Sequence, residues 1–384
     1  MPRLTTRTDK RRPHRLVQLP TTVGDLPRAL GAQLSESGIP SHSMAFQMDP
    51  FGFQADGYVW QESDPAWLKE LKRIAALRYI FLCDFVVMNF GRSLFRPVPV
   101  RPIARTSHYL LQRTYSKYSK FMQWIELSVL RLRNVPTVVI YQGTDARQVD
   151  ISITQATHSL ASIELPDHHN PALDDLKRQQ IELLSKYACR IYALNPDLMR
   201  VLPKGTEFLP YFHVEVPQPS TTPSQWVTGD PLIVGHAPSH RGIKGTDHVI
   251  EVVNKLKDAG YQIELRLIEG LSHQDALQEI SNVHILVDQL HAGWYGGVAV
   301  EAMAMGVPVL AYIRREDLEF LPARMAKDLP IQSVTPESLE RVLVNVTEMT
   351  TEEFQRWQSK SLDYVLDWHN PKSITDELFS QWFP

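Results

Sequence analysis

The feature of this sequence that most constrains its fold is the stretch 285–312. It contains a short apolar run, a glycine-bearing loop, a helix-like segment of about three turns that opens near Gly296 and Gly297 and stops at Gly306, and a second apolar run. This order predicts a parallel β-α-β unit with two buried strands. Glycines at the start of the helix let a ligand approach the backbone, and the unpaired N–H groups there favour an anion. We therefore expect a phosphate to bind at this helix start.

Glu301 lies about one turn inside the predicted helix, too far from its start to act as a cap. Its neighbours in the sequence are mostly apolar, and a buried carboxylate without a partner costs free energy. A pair of ribose hydroxyl groups beside the phosphate would supply that partner. We therefore expect Glu301 to bind the ribose of a nucleotide.

The length of 384 residues favours two domains over a single core. The segment 214–230 carries three prolines and small polar residues without periodicity, so we interpret it as a linker. Strand-like and helix-like segments alternate on both sides of it. The sequence therefore predicts an α/β fold in which two Rossmann-like, doubly wound domains, 15–213 and 231–365, face a central cleft. Residues 1–14 are basic and precede no apolar run, and we interpret them as a disordered arm.

Composition argues against several classes of protein. The net charge of −3 gives no general attraction to nucleic acid, and no apolar run approaches the roughly 20 residues of a membrane-spanning helix. The sequence lacks the clustered cysteines and the His-Glu-x-x-His pattern of zinc sites, and the Gly-x-Ser-x-Gly pattern of serine hydrolases. Cys83 and Cys189 lie in apolar segments, and we interpret them as reduced core residues of a cytoplasmic protein.

A basic and aromatic stretch covers residues 92–124. No Asp or Glu occurs between positions 85 and 125, where cationic and aromatic side chains are interleaved: Arg92, Arg96, Arg101, Arg105, Arg113, Lys117 and Lys120 with Phe95, Tyr109, Tyr115, Tyr118, Phe121 and Trp124. Such a surface can bind an anionic membrane, or an acceptor with an acidic or lipid-phosphate group. The alternative is a solvated loop and helix whose charge offsets acidic patches elsewhere. No nucleic-acid-binding module surrounds the stretch, and we predict no nucleic-acid partner.

A second candidate phosphate site is the loop 236–245, between a predicted buried strand and a helix that begins at Thr246. Arg241 and Lys244 are three residues apart in this loop, and their cationic groups can converge on one diphosphate. His236 and His240 flank them and are candidates for contact with the same ligand, with surface positions as the alternative. The loop and the helix start near Gly296 follow different strands of one predicted sheet, which supports a shared site.

Glycine-bearing loops also follow two predicted strands of the first half. Gly24 lies in the loop after the first strand, and Gly143, Thr144 and Asp145 follow a later apolar strand. Open parallel sheets bind ligands at the carboxyl ends of their strands, so these residues are candidates for the acceptor side. The alternative for the second loop is an internally satisfied turn in which Asp145 pairs with Arg147.

Three sequence patterns then resemble a known family. The Arg-x-x-Lys-Gly at 241–245, the Glu-Ala-Met-Ala-x-Gly-x-Pro-Val at 301–309 and the Gly-Thr-Asp at 143–145, with a linker between two β/α halves, resemble the GT-B glycosyltransferases of retaining family 4 (glycosyl transferases group 1). The resemblance covers residues 15–384 and is most specific in 233–312. It implies a nucleotide-sugar donor on the second domain, an acceptor on the first, no obligatory metal, and no cofactor besides the donor. It also implies that a last helix, 366–384, crosses back onto the first domain.

By position, the resemblance gives Arg241 and Lys244 the donor diphosphate and Glu301 the ribose hydroxyls, and we predict these three as the catalytic set. We place the nucleobase near Glu269 and Gly270. The complete donor-binding set that we predict is Gly235, His236, His240, Glu269, Gly270, Asp288, Gln289, Trp294, Tyr295, Gly296, Gly297 and Val298.

The sequence departs from the family pattern at two positions. The family commonly has a second glutamate, eight residues before the position of Glu301, that contacts the transferred sugar, and this chain has Gly293 there. The usual histidine before the Gly-x-Asp loop is replaced by Gln142. These departures leave nucleotide binding intact but leave open how the sugar is chosen and whether it is transferred. The residues expected to replace the sugar contacts are Asp288, Gln289, Trp294 and Tyr295.

The resemblance implies transfer of a sugar from a nucleoside-diphosphate sugar to an acceptor hydroxyl, with retention and without metal. The acceptor would be a carbohydrate or a lipid-linked molecule, as in polysaccharide, glycolipid or glycoconjugate synthesis. If the basic and aromatic stretch 92–124 binds an anionic membrane, the protein associates with the cytoplasmic face of that membrane. Two alternatives remain open: a nucleotide-sugar 2-epimerase on the same fold, and a non-catalytic scaffold that binds a nucleotide.

Overall fold

The computed structural model describes residues 15–49, 52–97, 106–155, 158, 171–214 and 224–383. The predicted basic arm, 1–14, lies outside these residues, as does most of the predicted linker. These described residues form two parallel sheets, one of seven strands and one of five, each with helices between its strands. Two Rossmann-like α/β units, as the sequence predicts, are therefore present.

The first unit follows the predicted alternation of strands and helices. Its elements are β1 (Leu16–Leu19), α1 (Leu26–Glu36), β2 (Ser41–Ala45), β3 (Gly57–Tyr58), α2 (Ala66–Leu82), β4 (Phe85–Asn89), α3 (Thr106–Leu132), β5 (Thr137–Tyr141), α4 (Val149–Gln155), α5 (Pro171–Ser185), β6 (Arg190–Ala193) and β7 (Glu207–Phe208). All residues of β4 and β5 are buried, because the central strands of a parallel sheet are covered on both faces. The strand order is β3-β2-β1-β4-β5-β6-β7, so the order reverses between β1 and β4.

The second unit contains the stretch 285–312. Its elements are β8 (Leu232–His236), α6 (Arg241–Lys244), α7 (Thr246–Asp258), β9 (Ile263–Leu267), α8 (His273–Ser281), β10 (Ile285–Val287), α9 (Gly297–Ala304), β11 (Val309–Ala311), α10 (Ala323–Asp328), β12 (Gln332–Ser333), α11 (Pro336–Thr347) and α12 (Thr351–Trp368). The strand order is β12-β11-β10-β8-β9, and all neighbours are parallel. The order reverses between β8 and β10, and ligands of open α/β sheets bind at such a reversal.

The chain ends on the first unit. α12 packs against α9 of the second unit, and α13 (Pro371–Trp382) then packs against α1 of the first. Trp382 stacks on Phe85 with ring centroids 5.2 Å apart, and its indole N–H donates to the hydroxyl of Tyr192 at 3.1 Å. The predicted crossing of the last helix back to the first domain is therefore confirmed.

Several local predictions were wrong. The last helix, predicted over 366–384, begins only at Pro371, because α12 ends at Trp368 and the helix breaks at His369 and Asn370. The edge strand β3, within 48–64, was not predicted. Cys189 is exposed, because it lies at the entrance to β6 rather than within the sheet, whereas Cys83 is buried as expected. α9 has eight residues, about two turns rather than three.

The end of the predicted linker belongs to the second unit. Trp226 is 1% exposed and packs against Phe354 of α12 with ring centroids 5.2 Å apart. Its indole N–H donates to the carbonyl of Asp230 at 3.0 Å. The burial of Trp226 could not be predicted from the sequence, because a single buried ring gives no repeating apolar pattern.

Candidate functional site

The centre of the candidate site lies between the carboxyl ends of β8 and β10. Lys244, the last residue of α6, donates from Nζ to Oδ1 of Asp288, which follows β10. The second carboxylate oxygen of Asp288 accepts from the backbone N–H of Gly296 at 2.6 Å. Lys244 is 7% exposed and Asp288 is 1% exposed. The structure therefore brings together the predicted phosphate-binding lysine, the start of α9 and one buried carboxylate.

The local sequence explains how Lys244 reaches this position. α6 is a single turn, and the side chain of His240 caps it by accepting from the N–H of Ile243 at 3.4 Å. Gly245 then takes a φ of 74°, and a β-carbon there would lie 2.9 Å from a side-chain atom of Leu290. Because both the left-handed backbone and the close approach require glycine, this residue allows α7 to begin immediately after the lysine.

Asp288 occupies the position at which a phosphate is predicted. An N–H group at a helix start and an ammonium group are the donors that an anion binds, and here the carboxylate holds both. The ammonium of Lys244 has further N–H donors besides the one that Asp288 accepts. A diphosphate at this site would therefore share Lys244 with Asp288 and compete with it for the N–H of Gly296.

Glu301 is held by two histidines that the sequence did not indicate. His273, the first residue of α8, donates from Nε2 to Oε1 of Glu301 at 2.6 Å, and Nε2 of His213 lies 3.7 Å from the same oxygen. Burial alone would raise the pKa of Glu301, but these two histidines outweigh burial and lower the pKa to about 2. The hydrogen bond to Glu301 raises the pKa of His273. Oε2 accepts no hydrogen bond from the described part of the chain.

His213 also covers the start of α9. A β-carbon on Gly297 would lie 2.9 Å from two ring atoms of His213, so only glycine lets the imidazole come this close. His213 follows the first unit, whereas Glu301 and Gly297 belong to the second. This side of the site is therefore built from the segment that joins the two units.

Arg241 pairs with acidic residues and not with Asp288, the partner of Lys244. Its guanidinium forms a bidentate pair with Glu269, with hydrogen bonds of 2.9 and 2.6 Å, and it lies 3.5 Å from Asp247. Its side chain is 51% exposed, so it has room to turn toward a ligand. Gly270, beside Glu269, is exposed with a φ of 69°. The structure thus places the predicted nucleobase region at the carboxyl end of β9, next to Arg241.

Other predicted donor residues lie inside the second unit. His236 is fully buried between the carbonyl of Val287 and the hydroxyl of Thr246, and burial lowers its pKa to about 4. Gln289 donates to the carbonyl of Trp294. The contacts of His236 join β8 to β10 and α7, and the contact of Gln289 closes the loop after β10, so both side chains hold these segments in place.

Trp294 and Tyr295 are both 0% exposed, with ring centroids 4.3 Å apart. The hydroxyl of Tyr295 forms hydrogen bonds with the hydroxyl of Tyr364 at 3.2 Å and with Nε2 of His369 at 3.0 Å. Contact between either ring and a sugar would therefore require this loop to open. Gly235 is buried and packs closely against Val283, because a β-carbon on it would lie 2.8 Å from that side chain. Val298 is half-buried on α9.

On the first unit, the loop after β5 is an internally satisfied turn. Asp145 accepts from the N–H of Gln142 at 3.0 Å and from that of Gly143 at 2.6 Å, while Arg147 pairs with Asp197 at 2.5 Å. Thr144 is half-buried. The loop therefore has the internal hydrogen bonding of the alternative interpretation, but Arg147 has a different partner.

The same loop is connected to the rim of the second unit. The carbonyl of Gln142 accepts from the amide of Asn195, whose oxygen accepts from the hydroxyl of Tyr211 at 3.1 Å. The charge of Asp288 is one of the groups that raise the pKa of Tyr211, although burial contributes most. A β-carbon on Gly24 would lie 3.7 Å from Oε1 of Gln142. Gly24 and the Gln142 loop therefore lie side by side beyond the carboxyl ends of β1 and β5.

Sequence reasoning missed His213, His273 and Tyr211. Each is a single residue near an element boundary, with no spacing or repeat that would mark it. His213 and Glu301 are also far apart in the chain, and only the fold brings them together. No helix among the described residues combines the length and the apolar character that crossing a bilayer requires.

The chain shares its fold with solved glycosyltransferase structures. Sucrose-phosphate synthase from Thermosynechococcus elongatus aligns over 96% of this chain and 99% of its own, with 12% identity and a TM-score of 0.55. A glycosyltransferase from Rickettsia africae ESF-5 aligns over 96% and 97%, with 11% identity and a TM-score of 0.54. No family model and no curated protein matches the sequence. At these identities the likeness shows the fold alone, which is GT-B.

Proposed function

We propose that this protein is a glycosyltransferase that moves a sugar from a nucleoside-diphosphate sugar to an acceptor hydroxyl. The observation that carries the proposal is that Lys244 and the N–H of Gly296 lie together, each bound to the carboxylate of Asp288. They do so where the strand order reverses, between β8 and β10. A buried ammonium and a helix start are the groups that bind a diphosphate. Oε2 of Glu301, which accepts no hydrogen bond from a described residue, is the acceptor that a ribose hydroxyl needs.

The chemistry follows from where charge develops. When the bond between the anomeric carbon and the phosphate oxygen breaks, negative charge grows on the diphosphate and positive charge on the sugar. Lys244, the N–H groups of α9 and Arg241, once turned from Glu269, stabilise the leaving diphosphate. In the retaining route that we propose, the acceptor hydroxyl attacks from the leaving-group side. The departing phosphate oxygen then takes its proton, and no metal is required.

The test is a transfer assay across a panel of nucleotide-sugars with Arg241→Ala. We expect transfer to fall by about two orders of magnitude, since one positioned cation at a developing charge supplies about 3 kcal/mol. Folding should be retained, because Arg241 pairs with Glu269 at the surface, where an ion pair contributes little. Arg341→Ala, an exposed arginine on α11, is the matched control. A wild-type rate of transfer by Arg241→Ala would contradict a role for this arginine in the mechanism. If the wild-type protein binds nucleotide-sugars but transfers none of them, the alternative of a non-catalytic nucleotide-binding scaffold is favoured.

Lys244 needs a different substitution. Lys244→Ala would leave the carboxylate of Asp288 buried without a counter-charge, and misfolding would then imitate a catalytic loss. The pair Lys244→Met with Asp288→Asn removes both charges together and separates the two effects. We expect this double variant to remain folded and to lose transfer. A folded double variant with full transfer would contradict the assignment of Lys244.

We further propose that the first unit contacts an anionic membrane. Large apolar side chains are exposed along one stripe of α2 and along α3: Trp67, Leu71, Ile74 and Phe81, and Leu110, Leu111, Phe121, Trp124 and Leu132. The exposed charges of α3 include Arg113, Lys117 and Lys120, and its Glu126 is buried. Apolar anchors beside cations suit an anionic lipid surface.

Sedimentation with vesicles tests this contact. We expect binding to vesicles that contain phosphatidylserine, and a clear loss of it in Phe121→Ser with Trp124→Ser. Both rings are more than half exposed, at 57% and 59%, so folding should be unaffected. Leu271→Ser, an exposed apolar residue of the second unit, is the control. Equal sedimentation of the double variant and the control would refute the contact.

A further inference from the structure

The strand order of the first sheet reverses between β1 and β4, and both strand ends there turn sharply. Gly24 and Asp25 have φ values of 66° and 55°, and Phe90 and Gly91 have φ values of 56° and 52°. This left-handed backbone conformation is unfavourable for any residue other than glycine, and two of the four residues, Asp25 and Phe90, are not glycine. A β-carbon on Gly91 would overlap the ring of Tyr141. Strained turns of this kind persist where the surrounding structure enforces them, often at binding sites.

Several buried polar groups around these turns have no protein partner. Within the described residues, neither amide atom of Asn89 forms a hydrogen bond, and the same holds for the hydroxyl of Tyr141 and Nε2 of Gln142. Asn89 is 0% exposed and Tyr141 is 1% exposed. The three residues come from the ends of the paired strands β4 and β5. Buried polar groups in proteins almost always form hydrogen bonds. A bound ligand would supply the hydrogen bonds that this cluster lacks.

Two arginines lie beside the cluster. Arg92 and Arg96 are half-buried, and neither forms an ion pair with a described residue; Nε of Arg92 is buried without an acceptor. Burial lowers the pKa of both, and the charge of Arg92 helps to bring the pKa of Arg96 to about 10. The carboxylate that acts on both is Asp145, whose oxygens already accept backbone N–H groups. The two cations therefore repel each other, and neither has a carboxylate in direct contact among the described residues.

We propose that Arg92 and Arg96 bind a phosphate group carried by the acceptor, together with the unpartnered side chains of Asn89 and Tyr141. This inference rests on the proposed glycosyltransferase function, because it assigns the substrate class of the acceptor side. A phosphate supplies several strong acceptor oxygens and enough negative charge for two guanidinium groups. The site adjoins Gln142, whose carbonyl leads through Asn195 to Tyr211 at the rim of the donor side.

The phosphate test does not require transfer activity. The full-length protein is treated with phenylglyoxal, which modifies accessible arginines, and the rate at each arginine is read by peptide mass spectrometry. Phosphate at about ten times its dissociation constant leaves about one tenth of the sites free, so modification of Arg92 and Arg96 should slow about tenfold. Arg131, exposed at the end of α3, is the internal control and should not be protected. Sodium chloride and sodium acetate at equal ionic strength complete the comparison.

The outcomes separate this inference from the proposed function. Equal modification rates with phosphate and with chloride, or equal protection by acetate, would overturn the phosphate site even if the protein transfers sugars. Protection by phosphate supports the site even if no nucleotide-sugar is a substrate. Glycerol 1-phosphate and vesicles that contain phosphatidic acid distinguish a soluble phosphomonoester from a lipid headgroup. In the variants Arg92→Gln and Arg96→Gln, the remaining arginine should lose most of its protection, whereas retained protection would contradict a shared site.

Discussion

The pairing of Glu301 with His273 and His213 makes the stability of the donor side depend on pH. The pKa of Glu301 falls from 4.5 to about 2 in the folded protein, which corresponds to at most about 3 kcal/mol at about 1.36 kcal/mol per unit. Because the folded pKa is depressed, this stabilisation is present above about pH 4.5 and is lost as the pH falls toward 2. The pKa of His273 is raised above 6.5, so its contribution is complete below that pH and is lost as the pH rises through the raised value. Both contributions are present together between about pH 4.5 and 6.5.

Glu301→Gln tests this reasoning. Local opening of α8 and α9 can be followed by hydrogen exchange, corrected for the intrinsic rate at each pH. We expect the variant to lower the opening free energy by about 2 to 3 kcal/mol at pH 5.5, and by less at pH 3 and at pH 8.5. Glu264→Gln on β9 removes an equal charge from an exposed position and should change nothing. A difference below about 0.5 kcal/mol at pH 5.5, or one that is the same at every pH, would refute the pairing.

Three further predictions concern stability. Lys244→Met and Asp288→Asn should each lower the free energy of unfolding by about 3 kcal/mol, because each leaves one buried charge unpaired. The double variant should lower it by at least about 1 kcal/mol less than the sum of the two, as thermal melts of the wild type and the three variants would measure. Trp226→Ala should destabilise the second unit by about 3 kcal/mol and leave exchange of the β4 amides unchanged, as hydrogen exchange of the two units would show. Arg241→Ala should cost less than about 1 kcal/mol in the same melts, because its pair with Glu269 is solvated.

The sequence predicts those parts of the fold that depend on short stretches of neighbouring residues. The apolar runs at β4, β5 and β10 are long enough to fill buried parallel strands, and α7 begins and ends at the residues that its flanking glycines indicate. α11 likewise begins where the local sequence favours a helix start, because Thr335 caps it and Pro336 suits its first position. The edge strand β3 has only two residues and no such pattern, so nothing in the local sequence marks it.

The chemistry of the site was harder to predict, because partners come from distant segments. The sequence indicated that Glu301 needs a partner, but not that two histidines already bind one of its oxygens. It placed Lys244 near the start of α9, but it did not indicate that the carboxylate of Asp288 lies between them and holds both. His236 has the spacing of a ligand-binding residue, yet its ring joins β10 to α7. Spacing along one segment predicts which groups share a loop and says little about which groups face them.

The position at which the family pattern has a glutamate is suited to glycine in this protein. Gly293 has a φ of 74°, and its carbonyl accepts from the N–H of Arg314 at 2.9 Å, which ties the loop after β10 to the segment after β11. A glutamate there would cost about 1 to 2 kcal/mol of backbone strain. Asp288 is instead the carboxylate that this loop brings to the start of α9, where it holds Lys244. Because the same carboxylate would border both sugar and phosphate, Asp288→Asn should change sugar preference and donor affinity together.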